Sequence, residues 1–402
     1  MYMKVLVISH MYPSSFNEIS GIFVHEQVKA LVAKGVEIQV VSPVPWTPFP
    51  IDYLSSKWKK YNNTPERTVY EGISIWYPRY LTFPRAWFFT SSGQRMYLGI
   101  KDVVSQIYKE FQFDLIHAHV ALPDGFAALK IKKIYYKPVI VNIHGQDLQQ
   151  TLYKNSSCKT ALFYVFKQAD KITTVSNKLK RIAKENFGFA KKIITIGDGV
   201  QIDKLILKRN NISKIGNYNY RTILSVSNLI LQKGIDYNLK AFAKLVDKYN
   251  NLKYLIIGDG PEMKRLKELS HNLGINKQVE FLGKLSHENV LVYMVKADIF
   301  SLPSWNEGFG VVYIEAMAQG KPIIGCQGEG IEDFVENGKT GLLVKPKDVD
   351  SLAKALGFLL SNIDEAKIIG ERAQKVVLEN YTWEKNAEKT IEIYREVLNI
   401  ER

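Results

Sequence analysis

Cysteine is almost absent from this chain: Cys158 and Cys326 are the only two in 402 residues. They stand far apart with no metal-type spacing, which argues against a disulfide framework and fits a reducing compartment. No uncharged apolar run approaches the ~18 residues needed to cross a bilayer. The opening MYMKVLVISHMYP has too short an apolar stretch after Lys4 for a signal-peptide core. The expectation is therefore a cytoplasmic protein that neither leaves by that route nor spans a membrane. There is no internal repeat beyond a doubling described below, no low-complexity tract, and no RNA-binding signature, so nucleic acid is not an expected partner. A metal centre is also not expected. His117 and His119 alternate on one strand and point the same way, but no third ligand stands at a recognisable spacing.

What the chain does have is the material for two cores. Its length suggests two domains of roughly 150–200 residues each, and 46% hydrophobic with 23% charged residues is a globular composition. The net charge of +14 is uneven, with 24 Lys+Arg against 13 Asp+Glu in residues 1–190 and 30 against 27 in the rest. A basic N-terminal half invites an acidic partner, unless its lysines simply solvate the surface.

Short apolar strands alternate with amphipathic helices, the pattern of parallel α/β architecture. KVLVIS, EIQVVSPV, FDLIHAHV, PVIVNIHG, KITTVS and KIITIGDGV form a first set of strands. A polar stretch over 208–220 reads as a linker, and the pattern restarts with RTILSVSNL, LKYLIIGDGP, VEFLGKL, ADIFSLPS and KPIIGCQ. Domains are expected at 1–207 and 221–380, with a final amphipathic helix over 381–402 packing back on the first domain. Doubly wound domains take ligands beyond the carboxyl ends of their strands.

The most informative stretch is residues 304–322, SWNEGFGVVYIEAMAQGKP. On one helix, Glu307 and Glu315 would stand about 80° apart, and two glycines would sit in the first turn at ~1 kcal/mol each. A loop followed by a helix closed by Gly320 is the better reading. Glu307 then projects from the loop and Glu315 from the helix. The amides of Gly308, Phe309 and Gly310 lie at the helix N-terminus, where anions are attracted. Lys233, at the start of a helix after the first strand of this half, can meet a diphosphate as a point charge. A charged middle with a polyol at each end describes a nucleotide diphospho-sugar.

These motifs, with KGID, IIGDGP, VEFLGKL and ENGKTGLLVKP in the same order, resemble the retaining glycosyltransferases of family 4 (glycosyl transferases group 1). MYPSSFNEISGIFVHEQVKAL and LIHAHVALPDGFAAL look most like members that build capsular or teichuronic-type surface polysaccharides. The resemblance covers essentially the whole chain. It implies the α/β fold called GT-B, two Rossmann-like doubly wound domains facing across a cleft. It implies transfer of a sugar from a nucleotide donor to a saccharide or lipid-linked saccharide, with retention at the anomeric carbon. Glu315 would bind the ribose, Glu307 the donor sugar, and Lys233 the diphosphate, with Gly21 facing it from the other domain. His144 would sit beside the reacting bond, with His117, His119 and Asp147 as acceptor-side or supporting residues and Asp147 able to orient His144. The family's second diphosphate cation, an arginine, is replaced here by Asn228. The donor is a co-substrate, and neither cofactor nor metal is implied.

Residues 46–97 mix aromatic with basic side chains, among them Trp58, Lys57, Lys59, Lys60, Arg79, Arg85 and Phe89. Two readings stand: packing of the N-terminal core, or a face held on an anionic membrane near a lipid-linked acceptor. The rival functions are a nucleotide-sugar-binding protein and a nucleotide-sugar epimerase of the same fold.

Overall fold

A computed structural model describes residues 3–14, 17, 20–47, 50, 56–83, 87–202, 220–249 and 251–400. The chain divides into two units, Met1–Asp198 with Trp383–Arg402, and Gly199–Thr382. The sequence analysis expects divisions at 207 and 381; of its linker over 208–220, only Tyr220 lies within the described residues.

The first unit is built on an eight-stranded sheet. Its strands are β1 (Lys4–Ile8), β2 (Glu37–Val41), β4 (Arg67–Tyr70), β5 (Ile73–Trp76), β7 (Leu115–His119), β8 (Val139–Ile143), β9 (Lys171–Thr174) and β10 (Ile193–Thr195). A separate two-stranded ribbon pairs β3 (Val44–Trp46) with β6 (Arg79–Leu81). The order of the large sheet is β10-β9-β8-β7-β1-β2-β5-β4, parallel except for the edge strand β4. Central strands such as VIVNI are buried at every position, because helices cover both faces and leave no polar side to alternate. Three strands in the aromatic-rich segment, β4, β5 and β6, have no counterpart among the expected strands. The C-terminal helix Trp383–Leu398 shares the core of this unit through Ala387, Ile391 and Tyr394. Gln27 donates to Asn386 of that helix over 2.7 Å.

The second unit has six parallel strands: β11 (Arg221–Val226), β12 (Leu252–Ile257), β13 (Val279–Gly283), β14 (Ile299–Ser301), β15 (Ile323–Cys326) and β16 (Leu342–Val344). Their order is β13-β12-β11-β14-β15-β16.

Each sheet reverses its winding once. In the first unit the reversal falls between β1 and β7, and in the second between β11 and β14. Connections leaving the two strands on either side of such a point diverge, which opens a crevice at their carboxyl ends.

Candidate active site

In the second unit the loops after β11 and β14 meet at the reversal. The main-chain amide of Trp305 donates to the carbonyl of Gln232 at 2.9 Å, tying one loop to the other. Lys233 Nζ stands 2.6 Å from Glu307 Oε2, with both side chains largely covered. The sequence reading assigned these two residues to diphosphate and sugar; here they hold each other. Gly234 turns the chain at φ 68°, and a Cβ there would lie 2.4 Å from the Pro303 carbonyl oxygen. Only glycine permits that approach, so Lys233 is set against the β14 loop by the backbone itself.

Beyond Glu307, Gly310 adopts φ 98° and starts the helix Val311–Ala318. Gly308 is buried, and its carbonyl lies where a Cβ on Gly330 would go. The Phe309 ring is 3% exposed and packs on Phe334 and Tyr381. That ring anchors the turn, leaving Phe309 only its backbone to offer a ligand. Glu315, in the following helix, accepts from His287 Nε2 at 2.6 Å. Asn228 is exposed on the loop after β11. That loop rests on the GDGP turn, since a Cβ on Gly258 or Gly260 would meet the carbonyls of Ser227 and Leu229. Two residues of this site were missed. Glu329 accepts the Glu307 amide, and His287 covers Glu315. Glu329 lies 22 residues from the amide it binds, too far for a local signal.

In the first unit Gly21 caps the helix Ile22–Ala33 at φ 63°, where a Cβ would collide with the Met11 carbonyl. Phe23, two residues on, lies against His144 with ring centroids 4.6 Å apart and the planes tilted by 53°. His144 Nε2 lies 3.0 Å from His119 Nδ1, and His119 stacks at 4.6 Å on His117. His117 Nδ1 in turn meets Tyr394 Oη at 2.7 Å. Burial holds His117 and His144 neutral, at pKa values of about 3, and lowers His119 as well. His117 and His119 present no edge to solvent and serve as support. Asp147 does not orient His144: its two oxygens accept the amides of Ala121 and Leu122 at 2.8 and 3.3 Å. Burial lifts its carboxyl to about 6 despite those amides.

A second pair that sequence reasoning missed lies at the reversal between β1 and β7. His10 follows β1 and binds Asp124, which follows β7, through Nδ1 at 2.9 Å. Its signal was a polar residue directly after the first apolar strand, but its partner stands 114 residues away. Among the described residues, no group of three or more His, Cys, Asp or Glu is placed to hold a metal ion.

Two family models cover nearly the whole chain: Glycosyltransferase Family 4 over residues 20–204 and Glycosyl transferases group 1 over residues 208–376. The chain is 29% identical to a putative teichuronic acid biosynthesis glycosyltransferase, TuaC, of Bacillus subtilis, over 88% of each chain. It is 30% identical to an uncharacterized glycosyltransferase of Haemophilus influenzae, over 76% of this chain and 82% of that one. Among solved structures, sucrose-phosphate synthase of Thermosynechococcus elongatus superposes with a TM-score of 0.81 at 20% identity, covering 99% and 100% of the two chains. HepE of Anabaena, in complex with UDP and glucose, gives 0.73 at 18% identity, over 98% and 100%. Two Rossmann-like sheets, a cation–carboxylate pair at the reversal of the second, and these likenesses together place the chain in the family 4, group 1 glycosyltransferases of GT-B fold.

Proposed function

We propose that this glycosyltransferase moves a sugar, with retention, from a nucleotide diphospho-sugar bound by the second unit to a saccharide or lipid-linked saccharide. The observation that carries the reading is the Lys233–Glu307 pair at the β11/β14 reversal, beside the glycine-turned start of a helix. An arriving diphosphate competes for Lys233 and frees Glu307 for sugar hydroxyls. As the bond from the anomeric carbon to the diphosphate oxygen breaks, Lys233 and the helix N-terminus stabilise the growing charge. The acceptor oxygen bonds to the same face of that carbon, and its proton passes to the departing diphosphate oxygen. Glu315 holds the ribose after releasing His287. Asn228 adds a hydrogen bond but no charge, so Lys233 is the cation of this arrangement. No metal is needed, because Lys233 and the backbone amides supply the positive field. Support comes from HepE, solved with UDP and with UDP-glucose, and from TuaC, named for polysaccharide biosynthesis. The N-terminal unit brings the enzyme to an anionic membrane where a lipid-linked acceptor resides.

Calorimetry with UDP, GDP and ADP, followed by a panel of nucleotide sugars scored by released nucleoside diphosphate with and without EDTA, tests this. One nucleotide should bind, and its sugar should turn over at an unchanged rate after chelation. Failure of all three to bind would refute a live donor site. Loss of turnover on chelation, restored by magnesium or manganese, would refute the metal-free mechanism.

A further inference from the structure

Among the described residues of the second unit, Ser227 Oγ, Gln278 Oε1 and Gln319 Nε2 are buried without a hydrogen-bond partner. Such an atom carries an uncompensated desolvation cost, so each asks for a cause. Gln278 and Gln319 stand ahead of β13 and β15, at the amino ends of strands. Ser227 follows β11 at its carboxyl end, on one side of the reversal.

The register of the sheet places this hydroxyl. The Ser227 amide donates to the Ile257 carbonyl at 3.0 Å, which prolongs the β11–β12 ladder past the end of β11. Side chains alternate along a strand, so Ser227 points to the same face as Ser225. Ser225 Oγ accepts from Asn238 of the helix Ile235–Ala243 at 3.1 Å. On the neighbouring strand β14, the Ser301 carbonyl accepts from the same Asn238 at 2.9 Å, and the Pro303 carbonyl lies against Gly234. β11 and β14 are paired with Ile223 opposite Ile299, which sets Ser225 level with Ser301 and Ser227 level with Pro303. Ser227 is therefore level with Gly234, at the start of the helix. The Gly234 carbonyl takes the amides of Tyr237 and Asn238, so those of Ile235 and Asp236 have no acceptor within the helix. Such a helix start attracts an anion. Asp236, the acidic side chain of the first turn, is turned to Arg265 at 3.6 Å and Lys240 at 4.0 Å. Nor can Ser227 shift to find a partner, because the Gly258 backbone is pressed against its carbonyl.

We propose that the Ser227 hydroxyl donates a hydrogen bond to a phosphate oxygen of the donor's diphosphate, at the start of the helix Ile235–Ala243. The inference rests on the donor reading above and adds a ligand from β11 to the Lys233 cation. Before a donor arrives the hydroxyl is unpaired and shut off from solvent, a cost that binding removes. Lys233 and Gly234 lead directly into this helix, so the exchange that takes the ammonium from Glu307 to the diphosphate occurs at the same helix start.

Ser227→Ala tests this, with calorimetry on the nucleoside diphosphate that the wild type binds and thermal melting without ligand. The variant should bind that nucleotide about tenfold more weakly, the weight of one hydrogen bond to a charged group. Its melting temperature without nucleotide should equal the wild type's or exceed it, because only an unpaired buried hydroxyl is removed. The dideoxyribose form of the nucleotide should lose affinity by the same factor, since the contact is with phosphate. Wild-type affinity in Ser227→Ala overturns the proposal. So does a loss of affinity joined to a melting temperature several degrees lower, which would make the hydroxyl a support of the loop. A loss confined to the nucleotide with ribose hydroxyls overturns it too, by placing Ser227 at the ribose. A wild type that binds no nucleoside diphosphate overturns the donor reading itself, whereas a normal wild type beside an indifferent Ser227→Ala overturns this assignment alone.

Discussion

Glu307 and Glu315 are both engaged before any donor arrives, the first by Lys233 and the second by His287. Each must exchange a partner on binding, and the two exchanges differ. Releasing Glu307 also frees the cation that meets the diphosphate, whereas releasing Glu315 frees a histidine that is 57% exposed. Glu315→Ala should accordingly weaken the free nucleoside diphosphate by ~1.5–3 kcal/mol, the worth of a hydrogen bond to a charged group. Glu307→Ala should leave that affinity closer to wild type and chiefly lower turnover with the intact sugar donor. Titration calorimetry on both variants, with steady-state rates, checks this; equal losses of free-nucleotide affinity would contradict the division of roles. Both glutamates were legible in the sequence because glycines at 308 and 310 weigh against a plain helix and so point to a turn. His10 and Asp124 were not legible. Each is unremarkable locally, and only the order of strands in the sheet brings them together.

At the scale of elements, parallel strands were readable because full burial leaves a nearly continuous apolar run, as in KVLVI and VIVNI. The β4–β5 hairpin was hidden, since ISIW lies in a stretch whose rings and cations suggested a surface. What fastens the C-terminal helix was equally hidden. Tyr394 reaches back to His117, a contact spanning 277 residues. Tyr394→Phe should cost about 1–3 kcal/mol by stranding a buried imidazole nitrogen, with nucleotide affinity unchanged. His117 also gives stability a sign in pH. The folded protein keeps it neutral down to about 3, while the unfolded chain protonates it near 6.5. The unfolded state thus binds the extra proton between those values. The contribution is intact above 6.5 and is lost progressively as the pH falls towards 3. Relative to His117→Gln, the wild type should lose on the order of 2 kcal/mol between pH 7 and pH 5, read from denaturant midpoints. An identical pH dependence in the two proteins would show that His117 is not the group responsible.

For the whole molecule, the open question is where the basic first unit works. Among the described residues no helix is long and apolar enough to cross a membrane. The aromatic-basic segment is only partly a surface. Arg79 donates to the carbonyls of Tyr77, Asn62 and Thr64, so it braces the ribbon rather than meeting lipid. Arg85 and the Lys57 side chain lie outside the described residues. Lys59 and Lys60 remain exposed on the helix Ser56–Asn62, while Trp46, Trp87 and Phe88 are 48%, 60% and 69% exposed. A chain of contacts joins them: Arg79 links Asn62 to β6, and Arg95 links Leu81 at the end of β6 to Phe88. Rings of this size normally seek cover, and an interface supplies it while lysines meet anionic headgroups at ~1 kcal/mol each within a Debye length. The proposed membrane contact therefore has a salt-sensitive part and a ring-dependent part. Wild-type protein should float with anionic liposomes at low salt and release partly at high salt. Lys59→Glu with Lys60→Glu should remove the salt-sensitive fraction, and Trp87→Ser with Phe88→Ser the remainder, with turnover on a soluble acceptor kept in both. Wild-type protein that ignores anionic liposomes at low salt would leave these rings without a membrane role and take away the physical ground for a lipid-linked acceptor.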